Sequence, residues 1–214
     1  MKLIGIGVGP GDFELLTLKA VKEIEGAAYI FIPESKGKSI AYEIAKPILK
    51  NRQNIVFLDI PMGCSRDVYR SCAQRIMEVS RDKTSVFLTL GDPNVYSTFT
   101  YTAEEIKKMG GEAYTISGIP SFIAASSAIG VPLLKKGEKM IVCDSVEGLS
   151  LENIDTVVVL KTVDKEKILD FFEERGFKYF YIRRCTQKDE LILTNRQEIL
   201  MDTDYLSMIV ARRR

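Results

Sequence analysis

The sequence predicts an α/β protein with a mostly parallel sheet in its first half and a mixed or antiparallel sheet in its second. Three observations carry this. Short apolar runs alternate with longer stretches of helical period up to about residue 116. Beyond residue 133 the apolar runs follow one another through short links, with one clear helix among them. The chain has 214 residues, 46% of them apolar, enough to bury a real core in one large domain or two small ones.

Taken in order, "KLIGIGV" reads as a first strand and "ELLTLKAVKEIEGA" as an amphipathic helix with Leu15, Leu16, Val21 and Ile24 near one face. "AYIFIP" is a second strand stopped by Pro33, and "SIAYEIAKPIL" a helix that Pro47 ends or kinks. "NIVFLDIP" is a third strand, and "SRDVYRSCAQRIMEVS" a helix with Ser65 as its N-cap. "TSVFLTLGD", with Val86, Phe87 and Leu88 at its centre, is a fourth strand. "STFTYTAEEIKKMGG" is a helix stopped by Gly110 and Gly111, and "EAYTIS" a short fifth strand. The small-residue helix "GIPSFIAASSAIGVPL" opens the second half. The strands "KMIVCD", "TVVVLKT", "KYFYIRR", "ELILT" and "YLSMIVARR" follow, with the helix "DKEKILDFFEERG" among them. The change of pattern puts a domain boundary between residues 116 and 117, giving domains 1–116 and 117–214.

Composition excludes several functions. Lys and Arg number 30 against 29 acidic residues, a net charge of +1, without the clustered basic excess that nucleic acid requires. Arg212, Arg213 and Arg214 read as a solvated end. There is no histidine, and Cys64, Cys72, Cys143 and Cys185 have no C-x-x-C spacing. No metal site is therefore expected, nor a triad that depends on imidazole. No apolar stretch approaches the roughly 20 residues that span a bilayer, so no membrane partner is expected. Scattered cysteines without a leader fit a reducing cytoplasm.

"LIGIGVGPGD" is a strand emptying into a glycine-rich loop. The dinucleotide pattern G-x-G-x-x-G fails: from Gly5 its third glycine falls on Pro10, and from Gly7 on Asp12. Asp12, expected to be buried in this turn, would also repel a pyrophosphate. A P-loop ending in Gly37-Lys38-Ser39 needs a glycine where Ile32 stands. The methyltransferase loop G-x-G-x-G matches Gly5, Gly7 and Gly9 but lacks the acidic residue usual before it, and a plain turn remains an alternative. A second loop, "LGDPNVYST", follows the fourth strand at the same carboxyl edge, where ligands of open α/β sheets bind. There Asp92 is placed to take an ammonium group, and Gly91 allows close approach to its backbone.

"GVGPGDFELLTLKA", "GDPNVYST" and "GIPSFIAASSAIGVPL" resemble, in order and spacing, the tetrapyrrole methylases, and the resemblance runs from Lys2 to "SMIVARR". It implies S-adenosylmethionine as methyl donor, S-adenosylhomocysteine as product, a tetrapyrrole substrate and a homodimer. It also implies two α/β domains with the cofactor in the cleft between them. "YSTF" after the Gly-Asp-Pro, with Pro61-Met62, is similar to the members that methylate C20 of precorrin-2 or cobalt-factor II; C11, C17, uroporphyrinogen and diphthine members are the alternatives.

Carried over residue by residue, the resemblance implies cofactor contacts from Pro10, Leu90, Gly91, Asp92 and Val95, and from Ser121 and Phe122. In the second domain it implies Leu160, Lys161, Arg184, Cys185, Ser207 and Met208, of which Leu160, Cys185 and Met208 also read as plain strand core. Tyr96, Ser97 and Thr98 would meet the substrate, although Ser97 also reads as a helix cap. Lys36, Arg66, Arg70 and Arg183 would meet its carboxylates, although each also reads as a surface charge. Asp12 is the candidate base. The lysine proton donor of the uroporphyrinogen members does not carry over, because "IPESK" places Glu34 there and Lys36 beside it.

Overall fold

The computed structural model describes residues 1–50 and 52–213. They divide into two compact units, Met1–Pro120 and Ser121–Arg214.

The first unit holds a five-stranded sheet of β1 (Lys2–Gly7), β2 (Ile30–Glu34), β3 (Ile55–Asp59), β4 (Thr84–Thr89) and β5 (Glu112–Ile116). Their spatial order is β3-β2-β4-β1-β5, and every pairing is parallel. Parallel strands need crossover helices, which here are α1 (Leu18–Gly26), α2 (Ile40–Leu49), α3 (Arg66–Ser80) and α4 (Thr98–Lys108). Strand alternation assigns the core. Ile4, Ile6, Val86 and Leu88 pack with Ile24 of α1 and Ile44 of α2. Leu3 and Phe87 turn the other way, onto Ile76 of α3 and Phe99 and Ile106 of α4. Covered on both faces, β1 and β4 carry apolar residues on both sides, Leu3, Ile4 and Ile6 in the first and Val86, Phe87 and Leu88 in the second, as buried parallel strands require.

Several local expectations change. The first helix begins only at Leu18, because the Thr17 hydroxyl caps it by accepting from Ala20 N, and residues 13–15 form a separate 3₁₀ turn. Pro33 does not stop β2. It pairs with Leu58 of β3 beyond the point where β2 has left β4, so its missing donor breaks no ladder on that side. Pro47 lies inside α2 and forfeits one bond, to the Glu43 carbonyl, two residues before the helix ends. Ser65 occupies the N-cap of α3 without making a capping bond through its side chain. No exposed large apolar residue lies on α2 or α3.

The second unit opens with α5 (Ser121–Ala128) and contains a sheet of β6 (Met140–Cys143), β7 (Thr156–Leu160), β8 (Phe177–Arg183), β9 (Leu191–Leu193) and β10 (Ser207–Arg213). Its order is β6-β7-β10-β8-β9; β6 and β7 are parallel and the other pairs antiparallel, so the sheet is mixed. One face is covered by α6 (Lys165–Glu173), through Ile168, Leu169 and Phe172, and by α7 (Arg196–Met201), through Ile199. Sequence periodicity missed α7, since six residues show too few turns. Asn195 starts it by accepting from Gln197 N and Glu198 N. The basic end is bonded rather than free, although Arg213 stays exposed. Arg212 pairs with Glu138 at 2.7 Å and donates to the Pro132 carbonyl, while Arg213 donates to the Leu151 carbonyl. Arg214 lies outside the described residues. No helix among the described residues is long and apolar enough to cross a membrane.

Candidate active site

At the carboxyl edge of the first sheet, Gly5 and Gly7 lie within β1 rather than in the loop expected from the sequence, Gly9 lies in the loop that follows, and each answers a different steric demand. A Cβ on Gly5 would lie 2.5 Å from the Phe99 ring, and one on Gly7 would lie 2.4 Å from the Gly91 carbonyl oxygen. Gly9 has φ +79° and exchanges two backbone bonds with Gly91, its N–H donating at 3.3 Å and its carbonyl accepting at 2.8 Å. Gly118, after β5, completes the junction: its Cβ would come within 2.1 Å of the Gly91 oxygen. Three loops thus meet backbone to backbone, which explains why residues 117–120 group with the first unit rather than the second.

Asp92 locks this junction. It is 8% exposed; Oδ1 accepts from Asn94 N at 2.8 Å and from Asn94 Nδ2, and Oδ2 accepts from Gly118 N at 3.1 Å. The carboxylate expected to take a ligand's ammonium group is therefore a brace between two loops. Oδ2 accepts one bond and has a second lone pair, so an ammonium group fits the same atom. Pro10 is buried beside this junction, and Leu90 and Val95 are half-buried around it.

Asp12 is exposed, not buried, and its Oδ1 accepts from Glu14 N at 2.9 Å to start the 3₁₀ turn. Tyr96 is half exposed with left-handed backbone, φ +45°. Ser97 is buried. Its hydroxyl bonds Thr89 Oγ1 at 2.8 Å and accepts from Phe99 N, so it caps α4 and offers a substrate no exposed group. Thr98, half-buried, opens the helix. Lys36 is exposed in the tight turn from Ser35 to Lys38 after β2.

Arg66 and Arg70 lie away from these loops. They pair with Glu104 at 3.5 Å and Glu105 at 4.0 Å. Glu104 stands six residues into α4 from Thr98, about 9 Å along the helix at 1.5 Å per residue. Arg183 is likewise engaged: it donates to Asp202 at 2.8 Å, and its Nε is buried without a partner.

In the second unit the implied residues converge on one sheet edge. Leu160 is the register partner of Met208, and Ser207 that of Arg183. Lys161 N donates to the Ser207 carbonyl, and Arg184 N to the Leu206 carbonyl. The strands leave this edge through left-handed residues, Lys161 with φ +62°, Arg184 with φ +48° and Thr186 with φ +64°. Non-glycine residues pay roughly 1–2 kcal/mol for that conformation and hold it only when neighbours impose it. Cys185 lies 3.6 Å from the Ser121 carbonyl, bringing the head of α5, with buried Phe122, to the same edge. Cys185 and Met208 are buried, so their side chains belong to the packing beneath the edge. Burial pushes the Cys185 thiol up to about 12, with the Glu190 charge adding to it, so the thiol stays protonated and is a poor nucleophile.

Among the described residues no three His, Cys, Asp or Glu side chains group to hold a metal.

The sequence pattern of the Tetrapyrrole (Corrin/Porphyrin) Methylases matches residues 2–200. The chain belongs to this family. A Methanocaldococcus jannaschii protein named "Probable cobalt-precorrin-2 C(20)-methyltransferase" is 33% identical over 99% of this chain and 96% of its own length. The cobalt-precorrin-2 C(20)-methyltransferase of Salmonella typhimurium is 25% identical over 75% of this chain and 72% of its own. The fold matches that of the uroporphyrin-III C-methyltransferase of Thermus thermophilus complexed with S-adenosylhomocysteine, with TM-score 0.73 at 19% identity, covering 99% of this chain and 97% of that one.

For this tetrapyrrole methylase, sequence reading missed three contributors to the two edges. Gly118 stood inside a recognised motif, and its spacing after the fifth strand was the available signal. Asp202 and Asp204, described below, carried none.

Proposed function

We propose that the protein is an S-adenosylmethionine-dependent C-methyltransferase that methylates C20 of precorrin-2 or cobalt-factor II. The observation that carries this reading is the 33% identity to the Methanocaldococcus jannaschii protein, sustained over nearly the whole of both chains. The sulfonium of S-adenosylmethionine supplies an activated methyl group, and an electron-rich tetrapyrrole carbon is already a nucleophile. What the protein must add is alignment, which can lower a barrier by roughly 7–11 kcal/mol. No histidine is needed for that.

In this reading Asp92 Oδ2 receives the ammonium of the methionine part, beside Pro10, Leu90, Gly91 and Val95. Ser121, Phe122, Leu160, Lys161, Arg184, Cys185, Ser207 and Met208 supply the second unit's share. Exposed Tyr96 faces the macrocycle and Lys36 one of its carboxylates. Asp12, exposed at the head of its 3₁₀ turn, takes the proton left on the methylated carbon. We carry the homodimer with this reading, to be checked by sedimentation at micromolar concentration. The test of function is incubation with S-adenosylmethionine and metal-free or cobalt-loaded precorrin-2, locating the new methyl by NMR. One methyl at C20 is expected; a product methylated at C11 or C17 would overturn the assignment while leaving the family intact.

A further inference from the structure

Three connections meet at the edge of the second sheet: that from β7 to α6, carrying Lys161 and Thr162; that from β8 to β9, carrying Arg184; and that from α7 to β10, ending at Ser207. Asp204, in the last of them, touches the others directly or through one bond. Its Oδ2 accepts from Arg184 Nε at 2.5 Å and its Oδ1 from Leu206 N at 2.9 Å. Its carbonyl accepts from Ser207 Oγ at 3.1 Å, and that hydroxyl shares a 2.5 Å bond with Thr162 Oγ1. Asp202 fixes Asp204 in turn: Asp202 Oδ1 accepts from Asp204 N at 2.9 Å while also accepting from the Tyr181 hydroxyl.

We propose that Asp204 is a positioning residue for cofactor binding, holding the left-handed Arg184 corner and the start of β10 in one frame. This rests on the S-adenosylmethionine reading above. The reasoning is conformational. Arg184 sits in a backbone region that an arginine leaves unless tied, and Asp204 ties its side chain while Leu206 O ties its N–H at 2.8 Å. Asp189, 3.2 Å from Arg184, lies within the same β8–β9 connection and cannot fix that corner against β10. A loosened corner must be ordered again when a ligand binds, and that ordering is subtracted from affinity.

The test compares the wild-type chain with Asp204→Asn and Asp204→Ala. Calorimetry with S-adenosylhomocysteine and with adenosine is read beside urea denaturation. Asn keeps one acceptor, so it serves where Ala fails to fold. The expected result is binding of S-adenosylhomocysteine by the wild type and about tenfold weaker binding by Asp204→Asn, at unchanged stoichiometry. Adenosine should lose the same factor. In turnover, KM for S-adenosylmethionine should rise with kcat preserved. Equal affinity in wild type and variants, or a loss seen only as a smaller competent fraction, overturns the positioning role and leaves the methyltransferase reading intact. A wild type that binds neither ligand overturns the reading, and the inference with it.

Discussion

At the first sheet's carboxyl edge, the missing side chains of Gly7 and Gly118 let two backbones close on the Gly91 carbonyl, and a single carboxylate, Asp92, pins them. At the second sheet's edge the chain turns through Lys161, Arg184 and Thr186, left-handed residues with full side chains, and the side chains of Asp204, Arg184, Ser207, Thr162 and Glu190 bond around them. The first edge is shaped by what is missing from its residues, the second by what its side chains bond. A glycine-built edge has no alternative geometry once a Cβ is added. A side-chain-built edge that loses one bond can loosen without the chain unfolding. The two should therefore fail differently.

The largest effect is expected from Gly118→Ala. Its Cβ would lie 2.1 Å from the Gly91 oxygen and 2.7 Å from Gly7 backbone atoms, none of which can rotate away as a side chain would. The cost should reach or exceed about 3 kcal/mol, the upper end of overpacking penalties. Urea denaturation would show it, and a midpoint equal to wild type would mean the three backbones are not in contact. Asp92→Ala comes next. It strips an acceptor from Gly118 N and Asn94 N at an 8% exposed position, for about 2 kcal/mol. Asp92→Asn, keeping one carbonyl acceptor, should lose less. If Asp92→Ala is as stable as wild type and only ligand affinity falls, the brace is dispensable.

The contrast also explains what could be read from sequence. Glycine at 5, 7 and 9, in and just after the first strand, and Gly-Asp-Pro after the apolar centre of the fourth, mark close backbone approach by residue type alone, so the first edge was legible in outline. The Asp92–Gly118 bond was not, because it joins residues 26 apart whose pairing only the sheet order creates. At the second edge the strands were legible from β-branched runs. Asp202, Asp204 and the bond that ties Arg184 to Asp204 were not, since acids and arginines are the ordinary content of surface loops and nothing local distinguishes a braced pair from a solvated one. The same ambiguity hid the ion pair of Arg212 with Glu138, 74 residues away.

A smaller effect separates the edges by pH. Burial pushes the Asp202 and Asp204 carboxyls up. For Asp202, bonds from Asp204 N, the Tyr181 hydroxyl and Arg183 outweigh it; for Asp204, bonds from Arg184 and Leu206 N do so. Both end below the usual carboxylate range. Depressed folded values stabilise the protein fully above the unfolded aspartate value, about pH 3.9, and that contribution is lost as pH falls through the folded values. Asp202→Asn should therefore be less stable than wild type at pH 7, and the gap should close toward pH 3. Urea midpoints at the two pH values check this; a gap independent of pH would mean the charge of Asp202 contributes nothing.

The smallest effect is expected from adding a glycine where the second edge has none. Lys161 has φ +62° and is exposed. In Lys161→Gly, relief of the left-handed backbone, about 1 kcal/mol at the low end, is offset by the extra freedom glycine gives the unfolded chain, about 0.5–1 kcal/mol. The bond from residue 161 N to the Ser207 carbonyl survives, because it belongs to the backbone. Stability should stay within about 1 kcal/mol of wild type, a shift of about 2–4 °C at most in a chain of this size. Gly118→Ala, a change of one methyl group in the opposite direction, should cost several times more. If Lys161→Gly destabilises by as much as Gly118→Ala, the lysine side chain carries the second edge, and the division between a backbone-built and a side-chain-built edge falls at Lys161 instead of Arg184.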